Sequence, residues 1–165
     1  MITERIHQAL NDQLNMEFNA SHTYLGMAAY CQRRAYNGAA VWCRLQSREE
    51  YGHGMKLCDF LLARDCDVNL DLAVKPPTEY PSLLDVFETA LKQERDVSEQ
   101  INKLYELAFQ ERAFATLVEV QWFLSEQVEE EKSVREIVRQ LRMVKDDPSG
   151  VLEIGRELGT RSAAT

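Results

Sequence analysis

Glu17, Glu50, Glu94 and Glu130 each interrupt an otherwise apolar stripe of 3-4 spacing. The first stripe runs Ile6, Leu10, Leu14, Glu17, Tyr24, Ala28, and the second runs Cys43, Glu50, His53, Leu57, Leu61. The third runs Leu84, Phe87, Leu91, Glu94, Ile101, Tyr105, and the fourth Val120, Leu124, Gln127, Glu130, Val134, Ile137, Leu141. Ionised carboxylates are rarely buried without partners, because desolvation costs several kcal/mol each. Four of them converging on one core require more positive charge than the single His53 supplies, and a pair of bound metal ions supplies it. A single offset of 77 residues relates Glu17 to Glu94, Glu50 to Gln127, His53 to Glu130 and Glu49 to Glu126. A helical hairpin repeated in this way places like groups opposite one another. One Glu comes from each of two helices and an i, i+3 pair from each of the other two, the layout of a carboxylate-bridged dinuclear site. Oxygen ligands with one imidazole suit iron or manganese better than structural zinc.

The elements that must hold these groups are helices. The chain has 165 residues, enough for one domain, and its four prolines are Pro76, Pro77, Pro81 and Pro148. The proline-free stretches 1–75 and 82–147 are rich in Leu, Ala, Glu, Gln, Arg and Lys, which favours helix. Asn37-Gly38 marks a break, so the first two helices are expected over about 4–35 and 39–66. The Asp- and Pro-rich stretch DCDVNLDLAVKPPTEYPS is a long connection. A third helix starts near Ser82, an N-cap with Asp85 three residues on, and a break near 111–114 separates it from a fourth ending near Val144. Asp147-Pro148-Ser149 opens a short fifth helix to about Leu158, followed by the tail RSAAT. The expected fold is all-α: an antiparallel four-helix bundle with a long crossover between the second and third helices and a short fifth C-terminal helix. Residues 1–145 form the bundle, and 146–165 the fifth helix and tail of the same domain.

The strings LNMEFNASHTYL around Glu17, REEYGH around Glu50, LKQE at Glu94 and WFLSEQVEEEK around Gln127 resemble those of bacterial non-haem ferritins. The resemblance spans essentially the whole chain, the crossover and fifth helix included. It implies that Glu17, Glu50 and His53 hold the first iron of a ferroxidase centre. Glu50 bridges to a second iron held by Glu94 and Glu130, with Gln127 close by. Glu49, Glu126 and Glu129, sharing Glu130, correspond to the family's third iron site, and Tyr24 to its redox-active tyrosine. The implied activity is oxidation of Fe(II) by O2 or peroxide, with the ferric product stored as mineral inside a homo-oligomeric, 24-subunit shell. No haem is expected, because bacterioferritins carry Met directly after the bridging Glu and this chain has Tyr51. A second ligand His on the fourth helix, needed by bacterioferritin and rubrerythrin sites, is replaced by Glu130.

Composition sets limits on the alternatives. The formal charge of −8 argues against a nucleic-acid partner. No run of 18 apolar residues points to a membrane. The opening MITERIHQALNDQL has no basic-then-apolar signal pattern, so Cys31, Cys43, Cys58 and Cys66 are expected as reduced thiols in a cytoplasmic protein. A di-iron peroxidase or oxygenase that stores nothing would use the same ligands. A metal-free scaffold would gain stability from Glu17→Leu or Glu94→Leu. Glu129-Glu130-Glu131 by itself reads as a solvated helix face on which only Glu130 lies squarely on the stripe. Trp42 and Trp122 read as packing residues. Two departures from the family stand out. Gly52 and Gly54 flank His53 inside a helix, where they loosen the ligands or admit solvent, and their change to Ala is expected to stabilise the protein. Leu117 and Val120 occupy the positions where animal ferritins have acidic three-fold pore residues, leaving Glu119 as a substitute.

Overall fold

The computed structural model describes residues 2–162, so residues 163–165 of the expected tail lie outside the described residues. It contains α1 (Glu4–Arg33), α2 (Asn37–Ala63), α3 (Leu83–Gln110), α4 (Phe114–Met143) and α5 (Pro148–Leu158). Strands are absent among the described residues, and no helix there is long and apolar enough to cross a membrane. α1 packs on α2 and α3 on α4 as antiparallel hairpins, α1 and α3 join the halves, and α5 lies against α2 and α4.

Side-chain caps start three of the helices. Thr3 accepts from the Ile6 amide at 3.3 Å, Ser82 from Asp85 at 3.2 Å and Asp147 from Ser149 at 3.0 Å, with Pro148 in the first turn of α5. The ends of α1, α2 and α3 share one device. Ala35, Asp65 and Arg112 take left-handed φ angles of 62°, 56° and 55°. The next amide then returns to the helix: Tyr36 to Cys31 at 2.9 Å, Cys66 to Leu61 at 3.0 Å and Ala113 to Ala108 at 2.9 Å. This 6→1 closure satisfies carbonyls that the helix end leaves free.

The first break therefore falls at residues 34–36, earlier than Asn37-Gly38 suggests. Gly38 lies in the first turn of α2, where a Cβ would sit 2.0 Å from the Gly155 carbonyl oxygen and 2.8 Å from the Gly159 nitrogen. Its service is to let the α5 backbone cross α2 closely.

The crossover from α2 to α3 is extended and held by a ladder on α1. The side-chain oxygens of Asn11, Asn15 and Asn19, one turn apart, accept from the amides of Asn69, Asp71 and Val74 at 2.7, 2.9 and 2.9 Å. Asn15 also donates to the Asn69 carbonyl at 2.8 Å. The core is divided. One apolar cluster includes Met27, Cys31, Trp42, Phe87 and Leu141, and another includes Ile6, Leu10, Leu57, Ile101 and Phe123. Between them runs a belt of buried polar side chains.

Candidate metal centre

The belt contains Glu17, Glu50, Glu94 and Glu130, all buried, together with His53, Gln127, Gln13 and Gln46. α1 supplies Gln13 and Glu17 one turn apart, and α2 supplies Gln46, Glu50 and His53 at i, i+4 and i+7. α3 supplies Glu94, and α4 supplies Gln127 and Glu130.

The bonds run as follows. Gln13 donates to Glu17 Oε1 at 2.7 Å. Gln46 donates to Glu50 Oε1 at 2.8 Å and to Glu130 Oε2 at 2.7 Å. His53 Nδ1 lies 3.1 Å from Glu50 Oε2 and 3.9 Å from Glu17 Oε2. The Tyr24 hydroxyl donates to Glu94 Oε1, while Gln127 donates to Glu94 Oε2 at 2.7 Å and to the Glu94 carbonyl at 3.0 Å. Glu17 Oε2 is buried and has no hydrogen-bond partner. A carboxylate oxygen left without a donor in the interior costs about 1–3 kcal/mol or more. It faces Glu50 and His53, and the three together could hold a cation.

The electrostatics agree. Burial, reinforced by the charge of Glu50, pushes the Glu17 carboxyl up to about 8. Burial and Glu50 push Glu130 up to about 7. Burial and the charge of Glu50 also hold Glu94 well above the usual carboxylate range, and burial and Glu94 raise the Tyr24 phenol. Burial alone would lower His53, but the Glu50 hydrogen bond and the charges of Glu50, Glu17 and Glu130 carry it up to about 9. Without a cation, the belt relieves its excess negative charge by holding protons.

The structure gathers the candidate ligands unevenly. Ligand atoms of Glu17, Glu50 and His53 all lie within 4.8 Å of one another, as do those of His53, Glu126 and Glu130. No such trio among the described residues includes Glu94, whose oxygens engage Tyr24 and Gln127. Glu49 is paired with Arg161, and Glu129 is exposed with Lys132 3.5 Å away. Tyr24 borders the belt, with its ring edge-on to Trp42 at 6.0 Å.

Several neighbours escaped the sequence reading. Gln13 and Gln46 stand four residues before Glu17 and Glu50, a spacing that would have put them on the ligand face. Arg161, in the tail, carries no local signal. Trp122 packs edge-on to His53 at 5.4 Å while remaining 40% exposed, so it borders the centre as well as packing. Val120 is a core residue, and Glu119 pairs with Lys56 at 3.3 Å. The expectation for Gly54 is corrected. A Cβ there would stand 2.5 Å from the Phe18 ring, whereas one at Gly52 meets nothing within 4 Å.

A family model for the ferritin-like domain matches residues 7–144. The chain is 38% identical over 162 residues to a bacterial non-heme ferritin of Staphylococcus epidermidis, covering 98% of each chain. It is 35% identical to one of Staphylococcus aureus over the same share. Among solved structures, an open-pore ferritin from the archaeon Archaeoglobus fulgidus superposes with a TM-score of 0.96 at 39% identity, covering 98% of this chain and all of that one. A humanised archaeal ferritin superposes with a TM-score of 0.97 at 38% identity over the full length of both.

Proposed function

Because this chain belongs to the ferritin-like family, we propose that it is an iron-storage subunit whose buried belt is a ferroxidase centre. The observation that carries this reading is Glu17 Oε2, buried and partnerless beside Glu50 and His53 in a belt of four carboxylates and one imidazole. Glu17, Glu50 and His53 hold the first Fe(II). Glu50 bridges to the second, which Glu130 and Glu94 hold with Gln127 beside them. Gln13 and Gln46 fix the carboxylates that carry the metal, as amide donors behind metal ligands do.

Each Fe(II) yields one electron to O2 or hydrogen peroxide. Glu17, Glu94 and Glu130, with His53, shed protons as metal arrives, so the negative charge of the belt grows together with the cations that balance it. The Tyr24 hydroxyl on Glu94 gives the phenol a path to release its proton along that bond if it supplies an electron. Glu126, next to Glu130 and His53, leads toward a third iron site with Glu49 and Glu129. Ferric product is stored inside a cage of 24 identical subunits in the cytoplasm, in which residues 1–145 and the 146–165 segment act as one domain. Haem plays no part, since Tyr51 follows the bridging Glu50.

Aerobic addition of excess Fe(II) to the metal-free protein, followed by size-exclusion chromatography, tests this. Ferric absorbance co-eluting with a cage-sized particle, at far more than three irons per chain, is expected. Oxidation that stops at two or three irons on a small oligomer would instead establish a non-storing di-iron redox protein.

A further inference from the structure

α5 brings one cation to the edge of the metal centre. The close crossing at Gly38 sets the end of α5 against α2, and Arg161 follows directly. Its guanidinium is gripped by three α2 residues spaced i, i+4 and i+7. It lies over the Trp42 ring at 4.7 Å, donates from Nη1 to Gln46 Oε1 at 2.8 Å and donates from Nη2 to Glu49 Oε2. Gln46 is fully buried, and its amide can face only one way while Arg161 holds its oxygen. That orientation turns Nε2 toward Glu50 and Glu130, both of which it binds. One side chain after the last helix therefore sets a donor shared by two carboxylates of the belt.

We infer that Arg161 is a gating and positioning residue. Docked, it holds Glu49 Oε2 and fixes Gln46, so a metal cation at Glu49 competes with it for that carboxylate. This rests on the ferroxidase reading above and concerns the third site of that same centre. A guanidinium stays charged at any pH the protein meets, so it cannot yield by losing a proton. A divalent ion at Glu49 would face it directly, and like charges at such range repel strongly away from bulk water. The side chain has somewhere to go. A cavity of about 380 Å³ beside it is lined by Glu136 and Glu157 as well as by Trp42 and Arg161 itself. Moving there frees the Gln46 oxygen and with it the fixed orientation of the amide between Glu50 and Glu130. Filling the third site thus loosens a support of the dinuclear pair, which favours passing product outward.

Zn(II), which is not oxidised, is titrated into the metal-free, full-length protein by calorimetry. Arg161→Ala is expected to tighten the weakest class of Zn(II) site about tenfold, an ordinary coupling between neighbouring sites. Adding Glu49→Gln to that variant removes the gain. Arg161→Lys, which keeps the charge but lacks the rigid planar fork, gives an intermediate value. In Trp122→Phe protein the remaining indole is Trp42, and its emission should change as the weakest site fills, but not when Arg161 is also Ala. Unchanged or weaker binding at the weakest site in Arg161→Ala, with the tight sites intact, overturns the gate alone. Absence of any tight Zn(II) site in the parent protein removes the metal centre and the gate with it.

Discussion

Glu17 sets the pH behaviour of the belt. Folding lifts its carboxyl from 4.5 to about 8 and that of Glu130 from 4.5 to about 7, and lifts His53 from 6.5 to about 9. In every case the folded chain keeps a proton that the unfolded chain has already released. Stability therefore falls as pH rises, between 4.5 and about 8 for Glu17 and between 6.5 and about 9 for His53. Metal binding runs the other way, because ligands must lose those protons. The metal-free protein should melt at progressively lower temperature from about pH 5 to pH 9. Zn(II) binding at neutral pH should release protons, seen as a binding heat that depends on the buffer's ionisation enthalpy. A flat melting profile with no proton release would contradict the shared-proton account. At this scale much is legible in the sequence. A Glu in the middle of an apolar stripe is conspicuous, which is why Glu17, Glu50, Glu94 and Glu130 stood out. Gln13 and Gln46 did not, because an amide in a stripe carries no charge that demands an explanation. Arg161 was invisible, since its partners lie more than a hundred positions away in sequence.

At the scale of elements, the helices were readable from proline placement and stripe period, and their ends were less so. Ala35, Asp65 and Arg112 adopt left-handed backbone without being glycine, so the usual sign of a helix end is missing there. Gly38 was conspicuous for a different reason, its contact with α5, and this displaced the expected break. The Asn11, Asn15 and Asn19 ladder was also hidden, because asparagine at four-residue spacing resembles any polar helix face. Gly52 and Gly54 now separate. Gly52→Ala adds helix propensity in open space and should stabilise the protein by about 1 kcal/mol, or about 2–4 °C in melting temperature. Gly54→Ala meets the Phe18 ring, which already stacks near Tyr51 at 5.5 Å. The ring must move, so that variant should melt below Gly52→Ala. Equal stabilisation in both would show that Phe18 gives way freely.

Among the apolar side chains that the subunit leaves uncovered, two groups stand close in sequence. Leu70, Leu72 and Val74 project from the crossover, Leu72 being 95% exposed, and Phe109, Phe114 and Val118 surround the turn between α3 and α4. Burial of such groups between copies fits an oligomer in which neighbours cover them. Leu72→Lys should weaken assembly, read as smaller particles in analytical ultracentrifugation, while the far-ultraviolet helix signal stays unchanged. Particles of undiminished size would place Leu72 outside the contacts. The exposed apolar residues were not apparent from sequence, since exposure depends on how the crossover is laid across α1. The belt, finally, bears on how the chain comes together. Glu17, Glu50 and His53 belong to the first hairpin, and Glu94, Gln127 and Glu130 to the second. Each hairpin closes through short-range contacts, so both form early, and the docking of one on the other comes late. That step brings four carboxylates face to face as the apolar clusters on either side of them close. Protons or cations that balance those charges ease the docking, so a belt able to hold a metal would let metal supply bear on the maturation of the subunit.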